Sequence, residues 1–265
     1  MAIITFTTDM GHKDHYVAVV KAALYRELPE ARMVDISHGI TPFNNAEAAF
    51  VLRSAWPAFP EGSIHIIGVD PESGPHEPHV VVRHQGHYFV GTDNGIFSLL
   101  FEGQPQAAWE LTMKLDDDHA TFPVRSVFVK VAAHLARGGK PEVIGRQMAG
   151  VREQIGFQPA TDANSIRGKV VHIDHYGNVI TNIRRRLFDD IGGGRNFRIG
   201  FGRPGDAITR LDKRYGDVPS GEKLAFFGEN GLLEIAVNKG APGVGGGFSQ
   251  LFGVQVEDPV RVDFR

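Results

Sequence analysis

The chain has 265 residues, enough for one large domain or two smaller ones. Hydrophobic residues make up 42% and charged residues 22%, and the net charge of -3 offers no basic surface for nucleic acid or anionic lipid. There is no cysteine, which excludes disulfides, thiolate metal sites and thiol nucleophiles and fits a reducing cytoplasm, and no apolar run of about 18 residues that could span a membrane.

Residues 3–8 read as a first strand, an apolar β-branched run that ends at Asp9 and the Gly11 turn. No secretory signal is expected, because Asp9, His12 and Lys13 interrupt the start. A helix over 14–28 follows and stops near Pro29. Next come a short strand over 33–36, a helix over 46–55 ending before Pro57, and a buried strand over 63–69. Segments 80–83 and 88–91 flank Gln85-Gly86 and read as a hairpin, with His84 and His87 exposed beside its turn. A helix over 127–137 stops at Gly138-Gly139. This alternation predicts a largely parallel α/β sheet in a first domain over 1–158.

Residues 159–165 read as a polar linker. Beyond it, strands over 168–173, 197–201, 224–227, 232–237 and 260–264 alternate with glycine turns, and helix signals are scarce. That texture predicts a small β-barrel or sandwich domain over 166–265. The glycines of 243–247 are not followed by Gly-Lys-Ser/Thr, so they do not read as a phosphate cradle. The runs Asp116-Asp117-Asp118 and Arg184-Arg185-Arg186 read as solvated surface.

Four polar clusters stand at expected strand ends: Thr7-Thr8-Asp9, Asp70-Pro71-Glu72-Ser73-Gly74, Thr92-Asp93-Asn94-Gly95 and Asp174-His175-Tyr176-Gly177-Asn178. Each alone fits a turn, since Asp and Asn favour turns and glycine supplies positive φ. Asp9 and Asp70 directly follow apolar strands, the edge where open α/β sheets bind ligands. The 12 histidines raise a metal reading, with His76 and His79, and His84 and His87, three apart. No His-Glu-x-x-His occurs and no metal is expected. Gly-x-Ser-x-Gly is also absent.

Taken in order, these stretches resemble the S-adenosylmethionine (SAM) hydroxide adenosyltransferases, relatives of the fluorinating and chlorinating adenosyl-transfer enzymes. The matching residues are Thr7-Thr8-Asp9 through Lys13-Asp14, Val34-Asp35-Ile36-Ser37-His38 with Thr41-Pro42-Phe43, and Phe59-Pro60-Glu61-Gly62. They continue with Val69-Asp70-Pro71, Asp93-Asn94-Gly95, Ala120-Thr121-Phe122 and Ala132-Ala133-His134. Val171-His172-Ile173-Asp174 through Gly177-Asn178, and Gly231-Leu232-Leu233-Glu234-Ile235, complete the set.

The resemblance implies an α/β fold, a Rossmann-like three-layer N-terminal domain followed by a smaller C-terminal β-barrel domain. It implies a cytoplasmic homotrimer whose ligand lies between one subunit's first domain and a neighbour's second. The implied reaction is SAM hydrolysis, with water attacking the ribose 5′-carbon to give adenosine and methionine without a cofactor. Asp9 would hold the ribose hydroxyls, and Phe43 and Phe122 would border the sugar and the sulfonium. Asp174 would pair with the methionine ammonium, Tyr176 would stack on adenine and Asn178 would bond to the base. Asn94, Glu229 and Asn230 would line the ligand. Asp70 matches the Asp of the family's water-handling Asp–Arg–His set. The Arg position falls on Glu77 and the His position on Pro123, and His76, His79, His119 or Arg125 are candidate stand-ins. A non-catalytic SAM or adenosine binder is therefore an alternative. Ser73 stands where the halogenating relatives hold halide, which makes a halogenase a further one.

Overall fold

The structure is a computed structural model that describes residues 2–112, 121–201 and 207–265. The chain divides into two compact units, with the boundary between Gly156 and Phe157. Among the described residues no helix is long and apolar enough to cross a membrane.

The first unit is built on a seven-stranded sheet. Its strands are β1 (Ile3–Thr8), β2 (Arg32–Ser37), β3 (Ile64–Gly68), β4 (His79–His84), β5 (His87–Thr92), β6 (Ala107–Leu111) and β7 (Gly145–Met148), in the order β2-β1-β3-β5-β4-β6-β7. Its helices are α1 (Tyr16–Glu27), α2 (Asn45–Ala55), α3 (Ile96–Phe101), α4 (Val129–Ala136) and the single turn α5 (Pro141–Ile144). Period-two alternation sorts the strand residues onto two faces. Ile4, Phe6, Ile64 and Ile66 pack with Val20 and Leu24 of α1 and Val131, Ala132 and Leu135 of α4. Ile67, Val80, Val82 and Phe89 pack with Ala48, Ala49 and Leu52 of α2 and Ile96 and Phe97 of α3. The sheet is thus covered on both faces, as strands with continuous apolar runs require.

The sheet is not largely parallel. β2, β1, β3 and β5 run parallel, but β4 is antiparallel to β5 and β6, and β6 to β7. The cause is the Gln85-Gly86 turn, whose two residues both have positive φ (46° and 78°). Such a turn matches strand twist and closes a hairpin, which reverses chain direction at mid-sheet. α2 starts where Asn44 Oδ1 accepts from Glu47 N at 3.1 Å. The expected helix over 127–137 is α4 preceded by a π-helical turn over Val124–Phe128, which begins after Pro123. Gly68 lets that turn settle onto the sheet edge, since a Cβ there would lie 2.9 Å from Val124 Cγ2.

The second unit is mostly β: β8 (Ala160–Thr161), β9 (Ser165–Ile173), β10 (Val179–Arg184), β11 (Phe197–Phe201), β12 (Lys223–Phe227), β13 (Leu232–Val237) and β14 (Pro259–Phe264). They form one antiparallel sheet in the order β11-β14-β9-β10-β13-β12, with β8 beside β9. The stretch read as a linker is partly β8, which turns back onto β9 through the Asp162–Ser165 contacts. The sheet curls. Ile199 of β11 and Ile208 exchange two backbone bonds, Asp212 N donates to Ala225 O of β12, and Lys223 Nζ lies 5.9 Å from the Phe201 ring. Among its described residues two α-helices punctuate it, α6 (Arg185–Gly192) and α7 (Phe248–Phe252), with a 3-10 turn over Tyr215–Asp217. The Arg184–Arg186 run is exposed, as expected, and opens α6, with Arg185 lying 4.5 Å over the Phe227 ring. Its core gathers Ile166, Val170, Val179, Ile199, Leu233, Ile235 and Phe248.

Candidate active site

In the first unit the C-terminal ends of β1, β3 and β5 converge. Asp9 follows β1, and its Oδ2 accepts from Phe43 N at 3.0 Å. Phe43 has φ +64° and is 72% exposed. A bulky aromatic in the left-handed region is an outlier costing roughly 1–3 kcal/mol, so the Asp9 carboxylate holds a strained backbone that presents a ring to solvent. Behind β1, Thr8 Oγ1 bonds to His38 Nδ1 at 2.7 Å. His38 Nε2 lies 3.1 Å from Asp35 Oδ1, and Asp35 Oδ2 accepts from Lys21 Nζ at 2.5 Å. Burial keeps the His38 imidazole below its ordinary value and neutral.

Asp70 leaves β3 with φ +45°. Its carbonyl accepts from Asn94 Nδ2 at 3.1 Å, and the next carbonyl, of Pro71, accepts from Thr92 Oγ1 and His79 Nε2, each at 2.9 Å. Because a carbonyl only accepts, the His79 proton sits on Nε2 and the ring serves the loop. Asn94 is equally engaged: its Oδ1 accepts from Ile96 N at 3.3 Å. Partial burial, then the neighbouring Glu77, Asp9 and Glu72 carboxylates, push the Asp70 carboxyl above its ordinary value. Ser73 is exposed on this loop. The loop closes where Gly74 and Glu77 exchange two backbone bonds of 3.1 Å. Phe122 stands at the head of the π-helical turn with its ring 5.7 Å from Tyr16, edge-on. Pro123 offers no proton-handling group, and His119 and the Asp116–Asp118 run lie outside the described residues.

His84 and His87 are not exposed hairpin residues. They turn inward with His65 around Trp56, in a chain from Thr5 Oγ1 to His65 Nδ1 (2.8 Å) and from His65 Nε2 to His87 Nδ1 (3.1 Å). Burial, then the proximity of His87, push His65 down to about 3. These imidazoles are neutral polar packing in an aromatic wall that includes Phe89 and Phe101.

Within the second unit, Asp174 organises the turn between β9 and β10. Its Oδ1 accepts from Tyr176 N (2.9 Å) and Asn178 N (2.8 Å), and its Oδ2 from Asn178 Nδ2 (2.9 Å). Gly177 takes φ +78° in the turn, and Ser249 N of α7 donates to its carbonyl at 2.9 Å. Tyr176 is left 60% exposed. Asn178 Nδ2 also donates to Tyr215 Oη at 3.2 Å. Glu234 of β13 lies in the field of Asp174, and burial followed by that charge raises its carboxyl to about 7. Glu229 is exposed on the β12–β13 turn, whereas Asn230 Oδ1 accepts from Leu232 N at 3.0 Å and holds the turn.

Both polar edges lie inside regions that match one family in sequence. Residues 4–145 match the SAM hydroxide adenosyltransferase N-terminal domain, and residues 168–261 match the C-terminal domain of the same name. The chain belongs to the SAM hydroxide adenosyltransferase family. It is 33% identical to the (R)-S-adenosyl-L-methionine hydrolase of Thermus thermophilus over 91% of this chain and 94% of that one. It is 30% identical to the enzyme of the same name from Salinispora tropica over 98% and 97%. A fluorinase from Nocardia brasiliensis is 25% identical over 89% and 90%. A crystal structure of an uncharacterized conserved protein from Thermotoga maritima superposes with a TM-score of 0.87, at 31% identity over 98% of this chain and 100% of that one.

Two features of this adenosyltransferase-family chain were not assigned from sequence. His38 lies in a matching stretch, but only the fold reveals its bond to Thr8. Arg152 carries no motif at all. Its backbone N–H is accepted by both Asp93 oxygens at 3.0 Å, and its guanidinium pairs with Glu77.

Proposed function

We propose that this chain hydrolyses SAM: water attacks the ribose 5′-carbon, the C5′–S bond breaks, and sulfur takes the bonding pair as methionine leaves. The products are adenosine, methionine and a proton. Sulfonium is already a good leaving group, so the reaction needs an oriented, partly desolvated water and no cofactor. The observation that carries this reading is the paired edge of Asp9 and Asp70, within a chain 30–34% identical to several proteins named as SAM hydrolases.

In this reading Asp9 accepts from both ribose hydroxyls, which a carboxylate can do while still accepting from Phe43 N. Phe43 and Phe122 border the sugar and the sulfonium. Ionised Asp70 accepts a hydrogen bond from the attacking water and draws off its proton. Asn94 positions Asp70 through its carbonyl and lines the ligand, and exposed Ser73 is free to contact it. Asp174 uses three of its four lone-pair directions within its own turn and keeps one for an ammonium group. Exposed Tyr176 stacks on adenine, Asn178 bonds to its edge, and Glu229 and Asn230 complete the ligand's polar end. The proposal includes a cytoplasmic homotrimer in which the first unit, Rossmann-like, supplies ribose and reaction-centre contacts, and the second, barrel-like, supplies adenine and methionine contacts to a neighbour.

The test is chromatography of SAM incubated with the protein. Adenosine and methionine in equal amounts, above the uncatalysed control, are expected. Binding of SAM by calorimetry without adenosine formation would establish instead a non-catalytic binder, the reading favoured by Glu77 and Pro123 standing where the family has Arg and His. Formation of 5′-chloro-5′-deoxyadenosine on adding chloride would establish a halogenase.

A further inference from the structure

Asp70 is surrounded by charge of its own sign. Glu72 and Glu77 share its loop, and Asp9 faces it from the end of β1. From β4, His79 faces the loop through Nε2 on the Pro71 carbonyl and is held neutral by burial. From the end of β5, Asp93 couples to Glu77 and to Arg152. The cation ion-paired into this group, among the described residues, is Arg152 on Glu77.

The Arg152 side chain is half-exposed, but its backbone is fixed. The stretch that carries it is tied on both sides. Val151 N donates to Gln104 Oε1 at 2.9 Å, and Gln104 Nε2 returns a bond to Val151 O at 3.1 Å. Gln154 N donates to Ser98 Oγ at 2.7 Å. Between them, Arg152 N is gripped by the buried Asp93 carboxylate. Glu77, in turn, is locked to Gly74 by two backbone bonds. Both partners of the ion pair therefore start from fixed backbone, although their side chains are part-exposed and the pair is screened accordingly.

We propose that Arg152 is a positioning residue for Asp70: it neutralises Glu77 from a fixed base and so keeps Asp70 ionised for the attacking water. The inference rests on the role given to Asp70 above. The charge argument has a sign. Removing Arg152 leaves Glu77 unopposed beside Asp70, which disfavours a second negative charge. Removing Glu77 instead relieves Asp70. A pair that merely stapled the loop would give the same loss from either side.

The experiment measures adenosine formation from SAM across pH for wild type, R152Q, E77Q and the double variant, together with the titration of the Asp70 carboxyl by ¹³C NMR. R152Q should move the acid limb to higher pH and E77Q to lower pH, each by about half a unit, or roughly threefold in rate at a fixed pH on that limb. The double variant should return near wild type. R152K keeps the charge and should keep the profile, which guards against a variant that fails to fold. Shifts of both single variants in the same direction, or a uniform loss of rate with an unmoved profile, would overturn the proposal. If wild type forms no adenosine, the hydrolase reading fails, while the Asp70 titration still decides whether Arg152 acts on it.

Discussion

The two polar edges of this chain are built in opposite ways. The Asp174 turn makes its site from five consecutive residues: one carboxylate ties down two backbone amides and one side chain within its own reach. The Asp70 edge draws Asp9, Phe43, Asn94, Phe122 and Arg152 from separate stretches, held by strained backbone and buried partners. A local site survives as long as its turn does. An assembled site carries strain and like-charge repulsion that only the folded sheet can impose, and such stress is tolerated where it serves chemistry.

The largest expected effect tests the assembled side. Asp9→Ala removes the proposed ribose acceptor and also releases Phe43 N. Adenosine binding should weaken by roughly 2–4 kcal/mol, the worth of two bonds to a charged acceptor. Asp9→Asn keeps an oxygen for Phe43 N and should lose less. Calorimetry with adenosine reads both, and unchanged affinity in Asp9→Ala would remove the ribose role from Asp9.

A second difference appears on acidification. His65, pushed down to about 3 by burial, is neutral when folded, whereas an unfolded His65 binds a proton below its ordinary 6.5. The unfolded state gains protons, so the first unit loses stability as pH falls. Between pH 7 and 5 His65 alone accounts for about 2 kcal/mol. His38, His79, His84 and His87 are shifted the same way by burial. Asp70 and Asp93 have the opposite sign but start from 3.8, further from this window. Glu234 behaves in reverse: raised to about 7, it binds its proton more tightly when folded, so its contribution is lost as pH rises from 4.5 through 7. The two tryptophans, Trp56 and Trp109, both lie in the first unit. Urea unfolding followed by their fluorescence should shift to lower urea from pH 7 to 5, while the protection factors of the β13 amides, corrected for the intrinsic pH dependence of exchange, should rise. Shifts of one sign in both probes would remove the contrast.

Legibility follows the same division. Strands β1, β3 and β9 announce themselves by period and flanking turns, and the Gln85-Gly86 hairpin by its dipeptide. The consequence of that hairpin, an antiparallel half-sheet, was in the sequence too, but strand–helix alternation argues for parallel pairing unless the reversal is followed outward to β6 and β7. Short β6, β7 and α3 lack a distinct period and are fixed by packing. His84 and His87 look like turn decoration, and only the aromatic wall around Trp56 explains their burial. Asp174 to Asn178 is readable because its partners are neighbours in sequence. Arg152 is not, because its partner Glu77 is 75 residues away and Arg152 itself sits in no motif.

The smallest expected effect tests the local side. Asp174→Ala removes all three acceptor contacts of the turn, but the turn is partly exposed and water replaces them, so the cost should be about 1 kcal/mol. Asp174→Asn keeps one oxygen that can accept from Tyr176 N and Asn178 N, and should cost less still. The loss should appear as faster amide exchange at Tyr176, Gly177 and Asn178, with exchange in β1 and β3 unchanged. Ala and Asn should then separate fold from charge: a ligand's ammonium group feels the missing charge in both variants, whereas the turn is loosened mainly in Ala. If Asp174→Asn bound SAM as wild type does while Asp174→Ala did not, the carboxylate would be a structural clamp for Tyr176 and Asn178, and the proposed ammonium contact would have to come from another group, with Glu234 a carboxyl in its field.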